Sequence, residues 1–300
     1  MKTARRLLAV ALLLLASAAC AAAQSDEPSS GTEPPKLLLL VYRQIRFDKE
    51  GERVKLETAM RRACEHVSVP NSWIDLESVT GVTEALSLDP FDSFEQMEKA
   101  GAFWGQIFAG HSEIARLQEE IKGVVASERT VIAARRDDLG YRVSSINLAQ
   151  ARAMRVLEVR LNPGHENDFV ESFRVLGGAY EKMNSDTPWV VYQVNAGMTS
   201  PAFLVFVPMT AIRQNDDLLA RRQALQEAEG EQGSRRMQEI AREAYALTES
   251  NIYVVSPEMS HVSKEFAVEN PEFWLQGSGA ENAKPAGNKQ AAKDPKAKPR

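Results

Sequence analysis

The sequence predicts an α+β fold of two tandem β-α-β-β-α-β units packed sheet to sheet, and three observations carry the prediction. "SWIDLESVTG" at 72–81 and "PWVVYQVNAG" at 188–197 each hold a Trp, an alternating run, and a Gly eight positions after the Trp. Strand and helix signals follow the same order around both. A proline then closes the third strand of each unit, Pro90 and Pro208, 17 and 19 residues after Trp73 and Trp189.

In the first unit, "LLLLVYRQIRF" (37–47) is branched and apolar enough for a strand. Val54, Met60 and Val67, with Leu56, Ala59 and Ala63, line a helix. "WIDLESV" is the second strand and "VTEALSL" the third. Ile114, Leu117, Ile121 and Val124 recur at helical spacing, and "TVIAA" (130–134) ends the unit. The second unit opens with "AMRVLEVRL" (153–161). Pro163 and Gly164 turn the chain into a helix marked by Phe169, Phe173, Leu176, Tyr180 and Met183. "WVVYQVNA" and "AFLVFV" form a hairpin. Met237, Ile240, Ala244 and Leu247 mark a last helix, and "NIYVV" (251–255) a last strand.

Right-handed crossovers place both helices of such a unit on one face of its sheet. The other face must be covered, because burial is worth roughly 25 cal/mol per Å² of apolar surface. Packing the two sheets together satisfies both units.

Tandem units with "EVRLNPGHENDF" as strand, turn and helix start resemble the dimeric α/β-barrel superfamily of ferredoxin-like folds. Its members include NIPSNAP-like proteins, antibiotic-biosynthesis-type monooxygenases and chlorite-dismutase-like haem proteins. The resemblance covers roughly 37–262 as a pattern and implies a fused pair in place of the usual homodimer, a pseudo-dimeric α/β barrel able to act as a monomer. A ligand would sit between sheet and helices or between the sheets. The fold hosts several chemistries, so the resemblance supplies no reaction.

The chain divides into a signal peptide (1–23), a disordered leader (24–36), a first ferredoxin-like unit (37–137), a linker (138–150), a second unit (151–262), an extension (263–276) and a disordered basic tail (277–300). Lys2, Arg5 and Arg6 precede an apolar run from Leu7 to Ala19 that is too short to span a bilayer. Two readings of the leader stay open: cleavage after Ala23, giving a periplasmic or extracellular protein, or lipidation at Cys20, anchoring it to the envelope. Cleavage at Ala23 leaves Cys64 as the one thiol, which excludes a disulfide scaffold. It also takes the formal charge from −5 to −8. An acidic body does not suit nucleic acid.

The four histidines, His66, His111, His165 and His261, show no metal-ligand spacing, so no metal site is expected. Haem members of the resembled group use a proximal His on a helix facing the pocket. No His lies on an apolar helical stripe of the second half, so no cofactor is expected. No phosphate-binding Gly loop or Gly-x-Ser-x-Gly elbow is present.

The informative polar residues lie on strands. Alternation pairs Gln44 with Arg46, Asp75 with Glu77, Glu158 with Arg160, and Gln193 with Asn195. If their apolar neighbours meet the helices, these eight line a polar cavity between the sheets, with Arg46 reaching Glu77; the alternative is solvent-facing edges or simple ion pairs. The sequence is read as an exported, non-catalytic protein that binds a small apolar or aromatic molecule or serves a structural role. The alternatives are a cofactor-independent monooxygenase acting on a small aromatic, and an envelope interaction module.

Overall fold

A computed structural model describes residues 31–275. The expected signal peptide with Cys20, residues 24–30 of the expected leader and the tail from 277 lie outside the described residues. Eight antiparallel strands close into one barrel: β1 (Leu37–Ile45), β2 (Trp73–Ser78), β3 (Glu84–Phe91), β4 (Val125–Arg135), β5 (Ala153–Leu161), β6 (Val190–Ala196), β7 (Ala202–Met209) and β8 (Tyr245–His261). Their order round the barrel is β1-β3-β2-β8-β5-β7-β6-β4. Outside it stand α1 (Glu50–His66), α2 (Phe94–Gly110), α3 (Ser112–Val124), α4 (Glu166–Lys182), α5 (Gln214–Ala220) and α6 (Arg222–Glu243). Two short helices follow β8, α7 (Lys264–Ala267) and α8 (Pro271–Trp274). Among the described residues no helix is long and apolar enough to cross a membrane.

The halves share one register. Leu37 pairs with Phe91 across β1 and β3, and Ala153 with Met209 across β5 and β7. The β1–β4 ladder shifts after Gln44, and the β5–β8 ladder after Arg160. The hairpin glycines also match: Gly81 and Gly197 have φ of +79° and +91°, which suits Gly alone among common residues. At Gly197 a Cβ would stand 2.0 Å from the Thr130 carbonyl oxygen, so the close approach of β4 also requires it. The halves meet edge to edge, β2 against β8 and β4 against β6, so the barrel expected from the sequence is closed as one continuous wall rather than left as two facing sheets.

Alternation sends Leu40, Leu76, Leu86, Met154, Tyr192 and Leu204 into the barrel. One end is plugged. Phe266 and Trp274 join the interior cluster, and Trp274 Nε1 donates to the Ala149 carbonyl (2.8 Å). Pro34 and Pro35, expected in a polar leader, are buried there, and Tyr192 Oη donates to the Pro35 carbonyl (2.9 Å). The expected linker carries two 3-10 turns, with Leu139, Tyr141, Ile146 and Ala149 buried.

Several elements differ from expectation. Helix α2 falls where the sequence reading placed none, although Ser93 caps it by accepting from the Gln96 amide (3.2 Å). Helix α6 ends at Glu243, so Leu247 belongs to β8. Strand β8 is also far longer than "NIYVV", because it pairs with β2 and β5 at once.

Candidate functional site

The eight expected site residues divide between the two faces of the wall. Glu158 and Arg160 point inward and line an open hollow of about 490 Å³ at the unplugged barrel mouth, with Tyr42, Glu84, Arg129 and Glu249. Glu158 pairs with Arg129 Nη2 (3.2 Å). Gln44 is exposed and accepts from Ser127 Oγ (3.1 Å), and Arg46, beyond β1, donates to the Val125 carbonyl (3.0 Å). Asp75, Glu77 and Gln193 lie on the outer, helix-facing side, and Asn195 is exposed. The partner of Glu77 is therefore Arg53 on α1, not Arg46. The reason is that both faces of these strands are covered. Ile74, Leu76, Val190 and Tyr192 fill the barrel, which leaves the polar alternates to meet the helices.

On that outer face of the first half lies a cavity of about 340 Å³, open to solvent on one side. Its floor is β1, β3 and β2, through Arg43, Ser87, Asp89 and Asp75. Its walls are α1 (Glu57, Met60), α2 (Met97, Ala100, Gly101, Trp104, Phe108) and α3 (Gln118, Ile121). Trp73 closes one side, held by Nε1 donation to the Met259 carbonyl (2.9 Å) and standing 6.2 Å from Trp104 between ring centres. Trp104 stacks on Phe108 at 5.4 Å.

Helix α1 supplies the charge. Its buried side chains are Arg53, Glu57, Met60, Arg61 and Cys64, a helical stripe that is three-fifths ionic. Arg53 Nη1 donates to Glu57 (2.5 Å) and Nη2 to Glu77 (2.5 Å). Arg43 Nε donates to Glu128 (2.9 Å), with Nη1 4.0 Å from Glu57. Asp75 Oδ1 is 3.8 Å from Arg53 Nη1 and accepts no hydrogen bond. Glu57 Oε1 and Asn71 Oδ1 are likewise buried without a donor. All three residues line the cavity.

Burial holds the Asp75 carboxyl well above its usual range, with Glu57 adding repulsion against Arg53 and Arg43. Burial also raises Glu57, opposed by Arg53 and Arg43. Asp89 is pushed up to about 6, again by burial, against Arg43 and the Ser87 hydrogen bond. Asp89 holds a proton in the folded state that the unfolded chain has lost, so its stabilising contribution disappears as pH rises from about 4 through about 6. Asp89→Asn is therefore expected to gain stability relative to the parent as pH rises over that window. Urea unfolding across it checks this, and a constant difference would contradict it.

The second half has no such charges at matching positions. Register and equal element lengths set the match: β1 and β5 have nine residues, and α1 and α4 seventeen. Val159 stands where Arg43 does, Phe169 for Arg53, Phe173 for Glu57, Val191 for Asp75, Val205 for Ser87 and Val207 for Asp89. These residues pack into one apolar cluster around Trp189. The fold thus tolerates a filled apolar core at this site, and the ionic cavity is a property of the first half alone.

No family model matches this chain, and no curated protein matches it. Solved structures do. An anthrone oxidase-like protein superposes with a TM-score of 0.51 at 13% identity, over 75% of this chain and 93% of its own. The likeness is one of fold. A provisionally named monooxygenase from Lactobacillus acidophilus NCFM gives 0.46 at 7%, over 73% of this chain and 93% of its own. A mutant chlorite dismutase from Candidatus Nitrospira defluvii gives 0.46 at 7%, over 80% and 98%.

Haem does not fit this cavity. No histidine, cysteine or tyrosine is among its lining residues, and Glu57, Asp75 and Asp89 would face the porphyrin. His261, packed 4.9 Å from Trp73, has its Nε2 engaged by the Val69 carbonyl (3.0 Å). Among the described residues no group of three or more His, Cys, Asp or Glu is placed to hold a metal ion. Sequence reasoning missed Arg43, Arg53, Glu57, Asn71 and Asp89. The signal was available in the residue-by-residue difference between the halves.

Proposed function

We propose that this chain is a small-molecule-binding protein whose ligand occupies the cavity between the first-half sheet and α1, α2 and α3. One observation carries the reading. Glu57, Asn71 and Asp75, each keeping one buried acceptor without a donor, line a cavity that the matching half fills with apolar side chains. Buried polar atoms cost free energy when unpaired, so their retention favours a donor-bearing ligand. At about 340 Å³ the cavity is near the lower end of the usual ligand range, which suits one aromatic ring and its substituents.

Gly101 sits on the cavity rim with open space where a Cβ would stand. Gly101→Leu is expected to keep the fold and raise helix stability by roughly 0.5–1 kcal/mol. It should also abolish retention of the small molecule that native mass spectrometry finds with the parent. Equal retention by parent and variant would place the ligand elsewhere.

A second reading, a cofactor-free oxygenase acting on a phenol, is favoured by Asp89 and Asp75. Carboxyls with raised pKa in a cleft suit proton abstraction near neutral pH. Oxygen uptake with a phenol, lost in Asp89→Asn, would select it; binding without turnover selects the first. The shared register further supports two ferredoxin-like units in tandem, and the basic, apolar leader supports export.

A further inference from the structure

We propose that the cavity's ligand is an arylalkylamine, an aliphatic amine carried on an aromatic ring, bound as its ammonium, an inference that rests on the small-molecule reading above. The charged groups around the cavity are Arg43 on β1, Arg53 and Glu57 on α1, Asp75 and Glu77 on β2, Asp89 on β3 and Glu128 on β4. Two cations thus serve five carboxylates. Both amino groups of Arg53 are engaged, by Glu57 and Glu77, and Arg43 Nε is engaged by Glu128. Asp75 has no cation within hydrogen-bond distance, and the hydrogen bond to Asp89 comes from Ser87 (3.2 Å).

An ammonium supplies what is lacking. It carries three donors for the polar groups that line the cavity and a charge that compensates its carboxylates, Glu57, Asp75 and Asp89. The rings of Trp73, Trp104 and Phe108 form part of the wall and attract both a cation and a ring. A neutral phenol would satisfy one acceptor and leave the charge. An anion would meet the carboxylates.

Calorimetry on the full chain with tyramine and its uncharged analogue 4-ethylphenol tests this. Tyramine is expected to bind at least about tenfold tighter at neutral pH. Its advantage should shrink in acid as Asp89 takes up its proton. A cation lowers the carboxyl pKa values, so tyramine binding near pH 6 should release protons, seen as a dependence of the heat on the buffer's ionisation enthalpy. Asp75→Asn should remove most of the advantage. Should that variant fail to fold, Asp89→Asn and the proton release serve instead. Equal affinities, or a tyramine preference indifferent to both aspartates and to pH, overturn the amine assignment and leave the small-molecule reading standing. If neither compound binds and Gly101→Leu retains what the parent retains, both are overturned.

Discussion

Arg53→Ala is expected to destabilise the protein by about 3–5 kcal/mol, the usual loss when one partner of a buried ion pair is removed. Arg53 is 3% exposed and is the link between Glu57, Glu77 and Asp75. Without it, Glu57 and Asp75 keep their desolvation with no cation close by, apart from Arg43 at 4.0 Å from Glu57. The informative comparison removes the whole cluster. Arg43→Val, Arg53→Phe, Glu57→Phe and Asp75→Val together install the residues of the matching half, where the same backbone positions form an apolar core. The combined variant should recover the loss and reach at least the parent's stability, since apolar replacement of buried ion clusters is often neutral or stabilising. It should retain no ligand. Denaturant midpoints of the parent, Arg53→Ala, the four single replacements and the combined variant measure this. Losses that simply add across the four substitutions would mean that the charges hold the fold rather than a ligand.

Trp189→Ala should cost a further-reaching 3–5 kcal/mol, roughly the value for truncating a packed aromatic. Trp189 is 3% exposed, lies 4.8 Å from both Tyr141 and Tyr180, and donates to the Leu139 carbonyl (2.9 Å). It therefore ties the segment between the halves to α4 and β6. Trp73 holds the matching place but is half-buried, with one side on the cavity. Trp73→Ala should cost about 1–2 kcal/mol and act mainly on ligand retention. Thermal unfolding of both variants, beside ligand retention, separates the two roles; equal destabilisation would remove the distinction.

Element order was legible because strand alternation, helical spacing and the breakers Gly81, Pro90, Gly197 and Pro208 are local signals. The direction of each face was not. Period-2 alternation shows that Asp75 and Leu76 lie on opposite sides, but which side meets the helices depends on where the larger apolar core forms. In this barrel Leu76 joins the interior, and Asp75 turns toward α1. The same ambiguity did not touch β5, where Val159 and Leu161 meet α4 as their polarity suggests. Arg53 and Glu57 were invisible for another reason. On α1 the apolar residues Leu56, Ala59, Met60 and Ala63 draw attention to the face packed among the helices, while the ionic stripe beside it faces the sheet. A charge that pairs only after a strand arrives from elsewhere leaves no periodic trace.

The closed wall has a bearing on how this chain coexists with its own copies. A sheet normally ends in two strands whose outer amides and carbonyls are unpaired, and such edges recruit further strands from other molecules. Here β2 and β4, the outer strands of the first half, are capped by β8 and β6 of the second. Neither half offers a template for strand addition while the other is in place. Folding must bring the last-made strand, β8, back to β2 before the last seam is sealed, so edge protection comes late and the nascent first half is the exposed species.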